Sequence, residues 1–220
     1  MIVYLNGNFV EAAGAVIPVW DGGYLYGDGI YTTLRLYRGH PVDLAAHCRR
    51  LDDHAAALDL PQPLTETELL SIARRLAAEN GLEAGDGRMR ITISRGGSPE
   101  NPFPLRDLAG ITPTVLVTLT PVGDEAARWQ DEGIPVITLD PSYARGNFPE
   151  LKTLNSLATV RALRRAAAEG CPEDILTDPE GRLLEGAISN LFLVKDGHLL
   201  TPARTGGFLA GRTRERILAI

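Results

Sequence analysis

The sequence predicts an α+β (α/β) fold that is divided into two domains. Stretches that alternate apolar and polar residues, as strands do, are interspersed with stretches of helical periodicity along the 220 residues. The chain is 44% hydrophobic and 23% charged, which is typical of a globular protein with a sizeable core. The composition shifts around Thr120, so we place an N-terminal domain at 1–120, a linker at 121–133 and a C-terminal domain at 134–220.

The first domain is predicted to contain several strands and two helices. Residues 2–11 alternate around Asn6-Gly7, a dipeptide that strongly favours a hairpin turn. Four glycines within Asp21–Gly29 indicate backbone that bends or is closely approached. The other predicted elements are a strand at Ile30–Leu36, a helix capped by Asp43 that runs to Leu60, a helix from the capping box Thr65–Glu68 to Asn80, and strands at 88–94 and 114–119.

The second domain is predicted to open with a strand at 134–139, which continues into a turn-rich loop that ends at Lys152. The spacing of the leucines and valine after this loop predicts a helix over Thr153–Gly170. The remaining predicted elements are short strands at 174–177, 182–184, 188–194 and 198–201, and a short helix that begins after Gly211.

Charge and cysteine content argue against several classes of function. The net charge is −6 and no basic stripe is present, which disfavours nucleic-acid binding. No run of about 18 apolar residues and no N-terminal signal pattern occur, so we expect neither a membrane span nor secretion. Cys48 and Cys171 stand far apart and outside any Cys-x-x-Cys pattern, which predicts free thiols in a reducing cytoplasm and no metal site. The expected partner is a small molecule.

Four features of the sequence carry candidate chemistry. Lys152 follows a turn and precedes the predicted helix, and Arg50 lies beside the apolar stripe of another helix. Glu185 stands shortly before Ser189-Asn190 at a predicted strand edge, and Gly211-Arg212-Thr213 opens a helix. Each feature also has an ordinary structural explanation, namely a solvated lysine, a surface ion pair, a solvated strand end and a capped turn.

Together, these residues form the minimum set for pyridoxal-phosphate chemistry. A lysine amine can form a Schiff base with an aldehyde cofactor and then move protons. A carboxylate that faces a pyridine nitrogen keeps this nitrogen protonated, so that the ring withdraws electrons. An arginine and the N–H groups of a helix N-terminus bind a phosphate dianion. We therefore predict pyridoxal phosphate as the cofactor.

Motifs along essentially the whole chain surround these residues. They are Asn6-Gly7, Tyr26-Gly27-Asp28-Gly29, His47-x-x-Arg50-Leu51, Ser94-Arg95-Gly96, Lys152-x-Leu154-Asn155, Glu185-Gly186 with Ser189-Asn190-Leu191-Phe192, and Gly211-x-Thr213-Arg214. With these motifs in this order, the sequence resembles the fold-type IV pyridoxal-phosphate enzymes, the class IV aminotransferase family. The resemblance implies a small N-terminal α/β domain and a larger C-terminal domain with a mixed, barrel-like sheet. It also implies a homodimer with a shared active site, to which the loop Arg95–Pro113 is the candidate contribution.

The resemblance implies roles for individual residues. Lys152 is implied to be the Schiff-base lysine and Glu185 the partner of the ring nitrogen, while Arg50 and Thr213 hold the phosphate. The further cofactor contacts expected on this basis are Ser189, Asn190 and Arg212.

The residues after Tyr31 favour one reaction of the family. Aminotransferases of the family usually carry Phe/Tyr-Glu at this point, whereas this chain has Tyr31-Thr32-Thr33-Leu34-Arg35. The Thr-Thr-x-Arg pattern is similar to that of aminodeoxychorismate lyases, which convert 4-amino-4-deoxychorismate to 4-aminobenzoate and pyruvate on the way to folate. Tyr31 and Thr32 are accordingly expected at the reacting atoms and, together with Arg95, at the substrate.

Alternatives to the lyase stay open at this point. One is an amino-acid aminotransferase that acts on branched-chain L-amino acids with a 2-keto acid acceptor. D-Amino acids fit less well, because D-amino-acid aminotransferases carry Arg-x-His where this chain has Ser-Pro-Glu-Asn-Pro-Phe at 98–103. Family members run some tens of residues past the Gly-x-Thr-Arg site, so either the printed sequence lacks the C-terminal strand and helix of the family or the C-terminal domain is shortened. This shortening is the one argument for a third alternative, a cofactor-binding scaffold without catalysis.

Overall fold

The structure, a computed structural model, describes residues 1–101, 108, 110–146, 148–204 and 207–220. The chain divides into two compact units. The first unit consists of Met1–Gly123 and Lys152–Asn155, and the second of Asp124–Leu151 and Ser156–Ile220. The segment that carries Lys152 therefore belongs to the first unit, although it is surrounded in sequence by the second. The domain boundaries given above stay a prediction.

A six-stranded antiparallel sheet forms the centre of the first unit, with its strands in the order β2-β1-β6-β5-β3-β4. The strands are β1 (Ile2–Leu5), β2 (Asn8–Glu11), β3 (Gly29–Tyr37), β4 (His40–Pro41), β5 (Gly87–Ser94) and β6 (Thr114–Pro121). The helices of this unit are α1 (Gly22–Tyr26), α2 (Leu44–Ala57) and α3 (Glu66–Glu79). This combination of a large sheet with packed helices confirms the predicted α+β class.

The two faces of β3 have different surroundings. Ile30 and Leu34 lie in the main hydrophobic core, which also contains buried leucines of α2 and α3. Because side chains alternate along a strand, Tyr31 and Thr33 point to the opposite face. Thr33 pairs with Arg90 of β5, so Arg90 shares this second face with Tyr31.

Two local sequence signals in the first unit are confirmed, whereas the predicted start and end of α2 differ from the structure, in which α2 ends at Ala57. Asn6-Gly7 joins β1 to β2, and the Thr65–Glu68 capping box is present at the start of α3. The predicted cap of α2 is wrong, since the Asp43 side chain makes no capping hydrogen bond. Asp43 adopts the left-handed conformation at φ 53°, whereas a capping residue usually needs extended backbone geometry.

The glycine-rich segment contains a short helix, α1, in addition to bends. The Asp21 carboxylate accepts hydrogen bonds from the N–H groups of Gly23 and Tyr24, at 2.8 and 3.2 Å, and so caps this helix. Gly29 begins β3 at a point where a Cβ atom would lie 2.6 Å from the carbonyl oxygen of Ile93. The predicted close approach of the backbone is therefore confirmed at Gly29.

The described part of the second unit has two small sheets. A parallel pair joins β7 (Val136–Leu139) to β8 (Glu173–Leu176), and an antiparallel pair joins β9 (Leu193–Lys195) to β10 (His198–Leu200). The helices of this unit are α4 (Glu125–Glu132), α5 (Leu157–Ala168) and α6 (Arg212–Leu218). Helix α4 lies in the stretch predicted to be a linker. Among the described residues, no helix has the length and apolar character needed to cross a bilayer.

Two predicted elements of the second half are wrong in their bounds, and the strand predicted at 182–184 is only an isolated bridge between Thr177 and Leu183. The helix predicted from Thr153 begins only at Leu157, because Thr153 pairs with Ile30 of β3 in an antiparallel bridge. The strand predicted at 188–194 is reduced to β9, because Glu185 and Asn190 form a bridge with each other before it. In both cases, a backbone pairing that the local pattern does not encode determines the structure.

Candidate active site

The main chain of Lys152 is fixed beside β3. The Tyr31 N–H donates to the Lys152 carbonyl at 2.9 Å, and the Leu154 N–H donates to the Gly29 carbonyl at 2.9 Å. The N–H of Lys152 donates to Nδ1 of His54, a residue of α2, at 3.1 Å. Both polar backbone groups of Lys152 are thus held by residues of the first unit.

The amine of Lys152 lies against an aromatic ring. Its Nζ atom is 4.5 Å from the centroid of the Tyr31 ring. The guanidinium carbon of Arg90 is 3.6 Å from the same centroid. Cations are attracted to the face of such a ring, so the arrangement places an amine and a guanidinium next to one phenol.

A buried hydrogen-bond chain joins α2 to β3. Arg50 Nη2 donates to the Thr32 hydroxyl at 2.5 Å, and this hydroxyl lies 2.7 Å from Nδ1 of His47. A guanidinium only donates, so the Thr32 hydroxyl accepts from Arg50, whose Nη2 atom also lies 3.3 Å from Nδ1 of His47. Thr32 is fully buried and fixes the position of the Arg50 guanidinium. The catalytic and substrate-binding roles of Thr32 stay predictions.

The side chain of Arg95 is engaged by protein groups. Its Nε and Nη2 atoms donate to the Asp28 carboxylate at 2.5 and 3.2 Å. Its Nη1 and Nη2 atoms donate to the carbonyls of Asp59 and Leu58 at 2.9 and 2.7 Å. These bonds favour a structural role that ties the end of β5 to the loop after α2. The predicted substrate contact is untested, and residues 102–107 and 109 of the loop Arg95–Pro113 lie outside the described residues.

In the second unit, Glu185 is buried in an ion pair with Arg145. Arg145 Nε donates to Glu185 Oε1 at 2.5 Å, and the Leu209 N–H donates to the same oxygen at 3.3 Å. Arg145 also donates to the Ala187 carbonyl at 3.0 Å. On Oε2, the bond from Asn190 Nδ2 is long, at 3.4 Å. Both carboxylate oxygens of Glu185 therefore accept hydrogen bonds from neighbouring residues.

Asn190 and Ser189 fix the loop that follows Glu185. Asn190 donates to the Leu209 carbonyl and accepts from the Gly211 N–H, both at 2.8 Å. The Ser189 hydroxyl donates to Glu173 Oε2 at 2.9 Å. Both residues thus have a structural role, and their predicted contacts with the cofactor stay a prediction.

A second buried carboxyl, that of Asp174, lies next to this loop. Asp174 is 0% exposed, and among the described residues neither of its carboxyl oxygens has a hydrogen-bond partner. Burial and, to a smaller extent, the nearby Glu173 raise the pKa of Asp174 from 3.8 to about 6. An orphaned carboxyl of this kind is costly, because its charged form is poorly solvated.

Helix α6 begins at the predicted Gly-x-Thr site. Gly211 precedes the helix with extended backbone and provides no capping side chain. Arg212 Nη1 pairs with Glu215 Oε2 at 2.5 Å, while Arg212 Nε is buried without a hydrogen-bond partner among the described residues. Thr213 is exposed on the first turn.

The predicted site residues thus fall into two groups. In the first unit, the Lys152 amine lies against the Tyr31 ring, and the Arg50 guanidinium donates to the Thr32 hydroxyl. In the second unit lie Glu185, Ser189, Asn190, Arg212 and Thr213.

Three further residues of these groups were missed from the sequence, namely His54, Arg90 and Arg145. The spacing of His54, one helical turn after Arg50, could have indicated that both share a face of α2. Arg90 becomes noticeable only once β3 and β5 are paired. No sequence pattern connects Arg145 with Glu185.

The chain is similar in sequence and in structure to known proteins. The sequence model of the family described as Amino-transferase class IV matches residues 29–220. Aminodeoxychorismate lyase of Bacillus subtilis (strain 168) is 32% identical over 217 residues, which make up 99% of this chain and 72% of the relative. The branched-chain amino acid aminotransferase of Escherichia coli has a similar structure, with a TM-score of 0.86, 28% identity, and coverage of 99% of this chain and 73% of that chain. A hypothetical aminotransferase from Mycobacterium tuberculosis in a PLP-bound form has a TM-score of 0.84 and 27% identity, over 100% of this chain and 77% of that chain.

Proposed function

Because the chain belongs to the class IV aminotransferase family, the pyridoxal-phosphate enzymes of fold type IV, we propose that it is a 4-amino-4-deoxychorismate lyase. The reaction eliminates pyruvate and leaves 4-aminobenzoate, a precursor of folate, without a second amino acceptor. The observation that carries this proposal is Thr32, a neutral residue where the family's aminotransferases usually carry glutamate. The Thr32 hydroxyl contacts the Arg50 guanidinium. A glutamate at this position would instead place a negatively charged carboxylate beside the guanidinium.

The donor groups of the chain fit pyridoxal phosphate. Lys152 offers an amine on a ring face, Arg50 a guanidinium, and Glu185 a buried carboxylate. Gly211 leaves the start of α6 without a capping side chain, so its first N–H groups are available to an anion. When bound, the cofactor supplies an aldehyde for a covalent bond with an amine and a ring that withdraws electrons from the adjacent carbon.

Lys152 is the residue proposed to bind the cofactor covalently and to carry the proton that the elimination requires. Its fixed main chain limits its motion to the side chain, which rests on Tyr31. Lys195 is the second lysine of the sequence and lies exposed on β9, so it offers a natural control.

The remaining proposed roles concern the phosphate, the ring nitrogen and the substrate. Arg50, Arg212 and Thr213 are proposed to bind the phosphate, the last two at the start of α6. Glu185 is proposed to accept the N–H of the ring nitrogen. Ser189 and Asn190 support it through the loop that they fix. For the substrate, which carries two carboxylates, we propose that Arg90 binds one of them beside Tyr31.

An amino-acid aminotransferase is the second candidate, and the structural similarity to the Escherichia coli branched-chain enzyme favours it. The two candidates differ in what they need. The lyase releases 4-aminobenzoate from 4-amino-4-deoxychorismate alone, whereas the aminotransferase turns over leucine only when 2-oxoglutarate is present. Turnover confined to the second assay would overturn the lyase proposal.

The role of Lys152 is tested on the purified protein with bound pyridoxal phosphate. Borohydride reduction followed by peptide mass spectrometry is expected to place the cofactor on the peptide that contains Lys152. Lys152→Ala is expected to abolish both the trapping and the release of 4-aminobenzoate, while Lys195→Ala leaves both unchanged. Trapping on Lys195 would contradict the assignment.

The family resemblance also supports a homodimer. Sedimentation of the purified chain at micromolar concentration is expected to give twice the mass of 23.7 kDa.

A further inference from the structure

We infer that His54 is a positioning residue for Lys152, which it holds by accepting the lysine's backbone N–H. The inference rests on the proposed role of Lys152 in the covalent bond to the cofactor. The observation behind it is the 3.1 Å hydrogen bond from the Lys152 N–H to His54 Nδ1, which joins residues 98 positions apart in the sequence.

The bond replaces one that the strand pairing would otherwise supply. Thr153 and Ile30 form an antiparallel bridge, flanked by the hydrogen bonds from Tyr31 to Lys152 and from Leu154 to Gly29. If this ladder continued by one residue, the Lys152 N–H would donate to the Tyr31 carbonyl. The Lys152 N–H donates to His54 instead. The strand pairing therefore ends at Lys152, and a side chain supplies the acceptor that the next backbone carbonyl would have supplied.

His54 is placed for this task by the helix that also supplies Arg50. His47, Arg50 and His54 follow one another at spacings of three and four residues, so they share one face of α2. The first two contact Thr32, and the third contacts Lys152. One face of one helix therefore fixes both the guanidinium proposed for the phosphate and the backbone of the proposed covalent lysine.

The chemistry of the bond defines which form of His54 can serve. An N–H donor requires an unprotonated Nδ1, so the imidazole is neutral and carries its proton on Nε2. The acceptor, and not the ring as such, is what holds the lysine. Anchoring the main chain matters because a lysine side chain has many rotamers, so backbone motion would add to the spread of Nζ positions.

Three substitutions separate the acceptor from the ring. His54→Asn places an amide oxygen close to the position of Nδ1, whereas His54→Gln places it about one bond farther out. His54→Leu removes the acceptor and keeps an apolar side chain. His198→Asn, on the exposed strand β10, is the matched control.

The readout is the rate at which apoprotein mixed with pyridoxal phosphate forms the lysine-bound cofactor, followed by absorbance and confirmed by borohydride trapping at Lys152. We expect His54→Leu and His54→Gln to slow this rate by about 10- to 100-fold, as misplacement by about 1 Å does for reacting groups. His54→Asn and His198→Asn are expected to stay within about threefold of the unsubstituted chain. The kcat for release of 4-aminobenzoate should fall in the same order, with little change in KM.

Several outcomes would overturn the inference. Equal rates for His54→Leu and the unsubstituted chain would show that the bond is dispensable. Equal losses for His54→Asn and His54→Leu would show that the Nδ1 acceptor is not what matters. If His54→Leu does not fold, as judged by circular dichroism, the comparison of His54→Asn with His54→Gln decides. Trapping that persists in Lys152→Ala would instead overturn the proposed function, so the two failures are distinguishable.

Discussion

Replacing Asp174 by asparagine should stabilise the protein at neutral pH and leave it nearly unchanged in mild acid. The carboxyl is fully buried, lacks hydrogen-bond partners among the described residues, and lies next to Glu173. Its pKa of about 6 in the folded chain exceeds the ordinary value of 3.8. Asparagine has nearly the same shape as the neutral acid and cannot ionise, so the substitution removes the cost of the charge.

The size of the effect follows from the difference between the two pKa values. At about 1.4 kcal/mol for each pKa unit, a rise from 3.8 to about 6 corresponds to about 3 kcal/mol. Between these two pKa values, the folded chain binds more protons than the unfolded chain, so stability falls as the pH rises and then levels off above about 6. Asp174→Asn should therefore raise the free energy of unfolding by about 3 kcal/mol at pH 8 and by well under about 1 kcal/mol at pH 4.

Urea unfolding followed by tryptophan fluorescence can measure this difference in the second unit. Trp129 lies in α4 of that unit and Trp20 in the first unit, so a Trp20→Phe background reports on the second unit alone. Asp196→Asn is the control, because Asp196 is exposed and its positive φ suits asparagine. A gain of equal size at pH 4 and pH 8, or no gain at pH 8, would refute the reasoning.

Three further predictions concern other buried groups. Arg145→Leu leaves the Glu185 carboxylate buried without its cation, so the free energy of unfolding should fall by about 3 kcal/mol or more. The double variant Arg145→Leu/Glu185→Leu should recover part of this loss, as measured by the same urea titration. Burial raises the pKa of Cys48 to about 11, so in a Cys171→Ser background its reaction with a thiol reagent at pH 8 should be slow in the native protein and fast in urea; equal rates would contradict this. Asp21→Ala removes the cap of α1 and the acceptor for Ser94, which should lower the thermal midpoint by the equivalent of about 1 to 2 kcal/mol, whereas an unchanged midpoint would show that the cap is dispensable.

The sequence predicts those parts of the fold that depend on neighbouring residues. The capping box at Thr65 and the hairpin at Asn6-Gly7 are confirmed, because the groups that form them lie within a few positions of each other. Asp43 shows the limit of such rules. The same residue type that caps helices also tolerates left-handed backbone, and here the turn before α2 requires the latter.

The site is less predictable than the fold, because its contacts join distant positions. Lys152 and Glu185 were identified as candidates, but their immediate partners, His54 and Arg145, were not. Each of these partners lies at least 40 positions away in the sequence. The helix predicted to start at Thr153 begins only at Leu157, because Thr153 pairs with Ile30 of β3. The helical spacing of the apolar residues that follow does not reveal this pairing.

The bridge between Thr153 and Ile30 has a consequence for synthesis of the chain on the ribosome. Translation at about 5–20 residues per second separates these two residues by roughly 6 to 25 seconds. Strand β3 is therefore made and released well before the segment that carries Lys152 can dock on it. The segment that carries Lys152 is thus a late addition to a sheet, because β1 to β6 all precede this segment in the sequence.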